Sequence, residues 1–222
     1  MTLIAHCGTS KISREQLRGL PVPPPTATHK PVPHHEVVEA LVETLGFRHI
    51  AVVRDEYAVS PDGMRMFGAL DLDYEYSDVR FSIGIRNAND KTMRLALTIG
   101  YRVVVCDNMM FKGDFTPVMH KHTRRLDLAD LISVGVDKMQ RNFEPLQAQI
   151  DDWHDRPITE DETKLVLYRA FVKGPFPLRL LPRVHEAYFE PAEPVFRPGS
   201  FWSLSNAFTV VQDPASDAAV PV

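Results

Sequence analysis

The sequence predicts an α+β fold, an antiparallel β-sheet of hairpins covered on one face by helices, with a long amphipathic helix after the sheet. Three observations carry this expectation. Between residues 65 and 105, apolar side chains recur at every second position through three successive segments, as strands with one buried and one solvated face require. From Leu128 onward the apolar spacing changes to three and four residues, the period of a helix with one buried stripe. Strands grouped together ahead of a run of helices favour α+β over a parallel α/β arrangement.

The elements follow in chain order. Residues 1–33 form an extended, proline-rich N-terminal segment, with six prolines between Pro21 and Pro33. Each proline lacks the donor that helix and sheet ladders use, so a linker or surface wrap with poor packing is expected. A helix opens near His34, with Val38, Leu41 and Leu45 at helical spacing and Gly46 as its stop. Residues 47–54, rich in β-branched side chains, read as a strand. Over residues 65–76, Leu70, Leu72, Tyr74 and Tyr76 oppose Asp71, Asp73 and Glu75. Over residues 80–86, Phe81, Ile83 and Ile85 oppose Arg80, Ser82, Gly84 and Arg86. The turn-forming residues 87–91 then lead to a third strand. There Met93, Leu95, Leu97, Ile99, Tyr101, Val103 and Val105 face one way, with Arg94, Thr98 and Arg102 on the other. Neighbours joined by short turns pair as hairpins.

The last third is helical. Leu128, Leu131, Ile132, Val136, Met139, Phe143, Leu146, Ile150 and Trp153 form one stripe, with a kink expected at Pro145. Thr159-Glu160-Asp161-Glu162 carries a capping-box pattern that opens a second helix ending at Gly174-Pro175. Shorter helices are expected over residues 180–188 and 201–211. One α+β domain therefore spans residues 34–211, followed by a small, polar, disordered tail at residues 212–222.

Composition bounds the function. The 222 residues suffice for one substantial core, and 44% hydrophobic with 24% charged residues is ordinary globular usage. A net charge of -4 excludes a strongly basic nucleic-acid binder as a whole-chain description and leaves a local basic face open. Cys7 and Cys106 lie far apart with no CxxC framework, so buried free thiols in a reducing compartment are expected. The N-terminus lacks a signal-peptide pattern and no apolar stretch reaches membrane-helix length, which points to the cytoplasm and away from membranes.

The basic charge is concentrated. Residues 80–141 hold eleven Lys+Arg against six Asp+Glu, a local +5, while the remainder carries -9. In simple hairpin register Arg86 sits opposite Arg94, with Arg102 further along the same face. Such like-charge pairing needs an acidic neighbour or a bound anion. The candidate nucleic-acid-binding set is Arg80, Arg86, Asn87, Lys91, Arg94, Arg102, Lys121, Arg124 and Arg125, because clustered cations release counterions from a phosphate backbone. An ordinary solvated sheet face with partner acids is the competing reading. Asp71, Asp73 and Glu75 share a strand face that suits a divalent cation or simply blocks edge pairing. His120 and His122 lack a third ligand by spacing. His34 and His35 read as solvent-touching residues at a helix start. Asn87, Asn89, Asp90 and Asn108 suit tight turns. Trp202 and Asn206 read as packing and capping groups. No nucleotide-binding loop, nucleophile elbow or zinc-protease helix is present in the sequence.

Ser82-Ile83-Gly84-Ile85-Arg86-Asn87-Ala88-Asn89-Asp90-Lys91, followed by Gly100-Tyr101-Arg102-Val103-Val104-Val105-Cys106-Asp107-Asn108, resembles the family known as domain of unknown function 932. The resemblance extends to His34-His35-Glu36 and to Phe201-Trp202-Ser203-Leu204-Ser205-Asn206-Ala207-Phe208-Thr209, spanning residues 30–210. The family's loop commonly reads Arg-Asn-Ser-His-Asp; Ala88 and Asn89 stand at its third and fourth positions here, so a histidine-dependent role is not carried over. The resemblance implies a phage or plasmid setting, with DNA maintenance, recombination or counter-defence as its business. Hairpins followed by a long helix are also similar in topology to the core of single-strand annealing proteins, an analogy that does not fix function.

The resulting expectation is a mobile-element accessory protein that binds nucleic acid through a basic sheet face, with single-stranded DNA binding or annealing in recombination as its activity. The alternative is a protein-interaction module that inhibits a host defence or DNA-processing enzyme; a metal-dependent nuclease is a weaker one. No catalytic residue, metal site or cofactor is assigned. A homo-oligomer and a host protein are the further partners this reading allows.

Overall fold

A computed structural model describes residues 9–104, 109–111, 115–174 and 176–210. Cys7, Cys106, Asn108 and the tail at residues 212–222 lie outside the described residues. The chain divides after Phe143 into two compact units.

The first unit contains β1 (Ser10–Ile12), α1 (His34–Phe47), β2 (Val52–Val59), β3 (Arg65–Tyr76), β4 (Val79–Ala88), β5 (Leu95–Val103), β6 (Met109–Phe111), β7 (Val118–His120) and α2 (Leu128–Gln140). The strands make a seven-stranded antiparallel sheet in the order β1-β2-β3-β4-β5-β6, with β7 also pairing β5. Consecutive strands are neighbours, as a chain of hairpins dictates.

The expected apolar face is largely buried, except at Tyr74, which is 38% exposed where the β3–β4 register shifts between Asp71 and Glu75. Leu70, Leu72, Val79, Phe81, Ile83, Leu95, Leu97 and Ile99 are all fully covered. Helix α2 lies against this face: a Cβ at Gly135 would overlap the side chain of Val118, with Leu97 beside it. Ile132, Val136 and Met139 are buried on α2, and α1 packs on α2 with Val37, Val38, Leu41 and Leu45 inside.

Helix α1 runs through Gly46 to Phe47, so the expected stop and the expected strand at residues 47–54 both move. The residue that ends the helix is His49, at φ 59°. The Ile50 amide donates to the Leu45 carbonyl and the His49 amide to that of Gly46, the pairing of a Schellman motif. Gly46 therefore stays helical, and β2 starts at Val52.

The N-terminal segment is extended yet well attached. Strand β1 pairs with β2, and Leu17, His29 and Val32 are buried at 1%, 8% and 6% exposure. The segment before α1 has one isolated backbone bridge, His29 to Thr123, and side chains hold it where its prolines cannot join a ladder. Asn87 donates to the Val32 carbonyl at 2.9 Å, and the Val32 amide donates to Asn89 Oδ1 at 3.0 Å. His34, 2% exposed, completes the pin: its Nε2 lies 3.0 Å from the Gly63 carbonyl and its Nδ1 2.9 Å from Asn87 Nδ2. Asn87 donates to Nδ1, so the ring is neutral with its proton on Nε2. His34 is thus a core residue, not a solvent-touching helix start.

The same network corrects the hairpin register. Asn87 and Asn89 are buried anchors, so β4 continues to Ala88 and the reversal falls at residues 89–94. Arg86 consequently faces Ala96, not Arg94, and Arg80 faces Arg102.

The second unit contains α3 (Phe143–Asp155), which begins at the boundary, then α4 (Glu160–Tyr168), α5 (Leu181–Phe189) and α6 (Phe201–Val210), with a π-helical turn at Arg169–Lys173. The helical run expected after the sheet is present as α2 and α3, interrupted at residues 141–142. Pro145 sits in the first turn of α3, where its missing N–H leaves no bond unmade. Thr159 and Glu162 form the expected capping box on α4. The core of this unit is Ile158, Leu167, Phe171, Val184, Tyr188, Leu204 and Ala207. Trp202 is buried, and Asn206 Nδ2 donates to its carbonyl at 3.0 Å. No helix among the described residues is long and apolar enough to cross a membrane.

Candidate nucleic-acid interface

The second face of the sheet carries the arginines, and it is less solvated than alternation predicts. Strand pairing orders it in cross-strand rows. The first contains Ala58, Phe67, Arg86, Ala96 and Met119; the next contains Glu56, Ala69, Gly84 and Thr98. Then come Asp71, Ser82, Gly100 and Phe111, and finally Glu75, Arg80, Arg102 and Met109.

At the last two rows the positive charge is already matched. Arg102 is 4% exposed and its Nε donates to Asp71 Oδ2 at 2.7 Å, while Ser82 Oγ donates to Asp71 Oδ1 at 2.7 Å. Arg80 is ion-paired to Glu75. The facing arginines are tolerated because each has its own carboxylate. Arg102 is therefore a structural group sealed in the sheet, out of reach of a surface ligand. The same pairs occupy two of the three carboxylates considered for a metal. Among the described residues no three His, Cys, Asp or Glu side chains converge as a metal site would.

Asn87 is likewise out of reach. It is fully buried, spending its amide on Val32 and His34.

Arg86 differs from both arginines. Among the described residues it makes no ion pair, and its Nε is buried without a partner. It borders a trough of about 350 Å³ lined by Phe67, Gly84, Ala96, Thr98, Phe111 and Met119, among others. Small residues make the floor: a Cβ on Gly84 would stand 2.8 Å from the Thr98 methyl and 3.1 Å from the Phe111 ring. Phe67 and Met119 are exposed, at 38% and 47%. A buried Nε without a partner, beside the exposed ring of Phe67, costs stability unless something fills the space.

Beyond this row, at the ends of β5 and β7, lies a polar cavity of about 560 Å³. It is lined by Thr28, His29, Lys91, Thr92, Met93, Arg94, Lys121, His122 and Thr123. Lys91, Arg94 and Lys121 are exposed, and no ion pair engages them among the described residues. Arg94 and Lys121 each lie two residues beyond the Ala96–Met119 pair, roughly 7 Å along the strands. His122 is 5% exposed, and neither ring nitrogen has a partner among the described residues. Its pKa is pushed down to about 4, by burial first and then by His29, His34 and His120. Burial also lowers His34. The His29 and His122 rings lie 5.6 Å apart. One wall is the N-terminal segment, bridged through His29 to Thr123, with the Lys30 amide donating to the His122 carbonyl.

Arg124 and Arg125 are exposed beside this cavity's last wall residue, outside its lining. Arg124 Nε donates to the Thr26 carbonyl at 3.2 Å, which fastens the N-terminal segment. The structure thus brings Lys91, Arg94 and Lys121 together, leaves Arg86 at the neighbouring trough, and separates off Arg80, Arg102 and Asn87.

Sequence reasoning missed Phe67, Phe111, Met119 and His29, and weighed His122 only as half of an incomplete ligand pair with His120. Phe67 did carry a signal: it has the strand parity of Asp71 and Asp73, an apolar residue on the supposedly polar side. Against known proteins, the chain matches no family model, no curated protein and no solved structure.

Proposed function

We propose that the protein binds single-stranded nucleic acid along the trough on the second sheet face, as a cytoplasmic accessory protein of mobile elements. One juxtaposition supports this reading. Arg86, a guanidinium without a counter-charge among the described residues, shares a cross-strand row with exposed Phe67 and Met119, two residues from the cations Arg94 and Lys121.

The chemistry matches what an unpaired strand offers. Bases stack on the rings of Phe67 and Phe111, and Arg86 contributes a cation beside the stack. The backbone runs toward Lys91, Arg94 and Lys121, which neutralise phosphates without reading base edges. Duplex DNA presents no unstacked base to such a trough, so single strands are preferred. The net charge of -4 supplies no long-range attraction, which makes the contact local and steeply dependent on salt.

The test is fluorescence anisotropy of a labelled oligothymidine strand. Four cations at about -0.7 each give a slope near -3 for log K against log salt. Phe67→Ala is expected to weaken binding roughly tenfold, from the loss of one stacked base. No binding at low salt, or affinity untouched by both Phe67→Ala and Arg86→Ala, would overturn the proposal.

A further inference from the structure

We infer that the polar cavity at the ends of β5 and β7 is a receptor for a phosphate monoester, the terminal phosphate of a bound strand. The inference rests on the single-strand reading for the source of the phosphate, and on the cavity's own chemistry for its class.

The lining is one-sided. Two lysines, one arginine and two histidines share it with three threonines, and among the described residues no carboxylate lines it. Three cations so close together repel one another unless an anion lies between them. Asp90, the nearest acid in sequence to Lys91, is turned elsewhere: it accepts from the Thr92 amide at 3.0 Å and from its hydroxyl, and its other oxygen faces Arg65 at 3.5 Å.

His122 is the second, independent observation. A side chain that is 5% exposed, with neither ring nitrogen bonded among the described residues, is costly to bury. A ligand oxygen that accepts from the imidazole N–H removes that cost. The dianion also favours the charged ring, so occupancy raises the His122 pKa and draws a proton onto it at mildly acidic pH. The titratable groups facing this ring are His29, His34 and His120, and the cations Lys91, Arg94 and Lys121 line the same cavity.

Charge selects the end of a strand over its middle. A phosphate monoester carries about -1.5 to -2 at neutral pH and three acceptor oxygens, against a single charge on each internal diester. The wall built from Thr28 and His29, bridged from His29 to Thr123 and fastened by the Lys30 amide donating to the His122 carbonyl, suits a terminus better than a continuing chain. The volume of about 560 Å³ admits the phosphate with its sugar.

Two measurements test this. Oligothymidine strands with a 5′-phosphate, a 3′-phosphate or neither are titrated in parallel. One phosphorylated form is expected to bind about tenfold tighter than the bare strand, the worth of one charge-assisted hydrogen bond. That ratio falls toward one in Arg94→Ala and Lys121→Ala. Separately, inorganic phosphate is titrated against the full chain while the His122 ring is followed by NMR, and its resonances are expected to shift saturably. If phosphate moves His122 but no strand binds, the anion receptor stands and the nucleic-acid reading falls. If strands bind equally with and without a terminal phosphate and phosphate leaves His122 unmoved, the receptor is overturned while strand binding survives.

Discussion

Removing the carboxylate of Asp71 isolates the difference between a structural arginine and a binding one. Asp71 and Arg102 have side chains 2% and 5% exposed, joined at 2.7 Å, and Asp71 also accepts from Ser82. In Asp71→Leu the guanidinium stays in the sheet with its principal counter-charge gone. Breaking one side of such a pair costs about 3–5 kcal/mol. In a protein of this size, that is a fall in melting temperature of roughly 6–20 °C. Arg102→Met alone strands the carboxylate and falls by a comparable amount. The combined Asp71→Leu/Arg102→Met variant leaves neither charge behind and is expected within about 2 kcal/mol of the parent, because apolar replacement of a whole pair is near neutral. Urea denaturation of the four proteins gives the coupling, about 3 kcal/mol or more. Losses that simply add in the double variant would refute the buried pair. Arg102→Met, where folded, is also expected to keep its affinity for single strands.

The remaining expectations concern the N-terminal pin, the trough floor, the helix contact and pH. Asn87→Ala removes a donor from both Val32 and His34 and is expected to cost about 2–4 kcal/mol, with faster hydrogen exchange over residues 26–33; unchanged exchange there contradicts the pin. Gly84→Ala places a methyl 2.8 Å from the Thr98 side chain, so strand affinity is expected to drop while urea stability changes by about 1–2 kcal/mol; unaltered affinity contradicts the trough. Gly135→Ala drives a methyl into Val118 and is expected to cost about 1–3 kcal/mol by thermal melting; a neutral outcome contradicts the close approach of α2. His122 titrates near 4 when folded and near 6.5 when unfolded, so the unfolded chain holds more protons between those values. The stability tied to it is fully present above pH 6.5 and is lost as pH falls toward 4, on the order of 3 kcal/mol. His122→Gln is expected to flatten that dependence, and a parent more stable at pH 5 than at pH 7.5 contradicts the sign.

The fold was legible because its signals are local and periodic. Alternation over β3, β4 and β5 needs nothing beyond the chain itself, and neither do the stripe of α2 and α3 or the cap at Thr159. What escaped depends on partners distant in sequence. Asn87 and Asn89 look like turn residues, and only the strap at Val32 reveals them as anchors that lengthen β4 and shift the register by two. Gly46 looks like a helix stop, yet His49 takes the left-handed position. Arg80, Arg86 and Arg102 share parity and read as equivalent, while the acids that separate them sit on β3, and none reaches Arg86. The cavity at Lys91, Arg94 and Lys121 was half legible as charge; its histidines, one from the proline-rich segment, required the bridge from His29 to Thr123.

Photocrosslinking tests the trough most directly. A bromodeoxyuridine-substituted single strand is irradiated with the full chain, and the adducts are mapped by mass spectrometry. Adducts on Phe67 or Phe111, lost in Arg86→Ala, are the expected result. Adducts confined to Arg124, Arg125 or the helices after Phe143, with the Phe67 and Phe111 peptides unmodified, would contradict it.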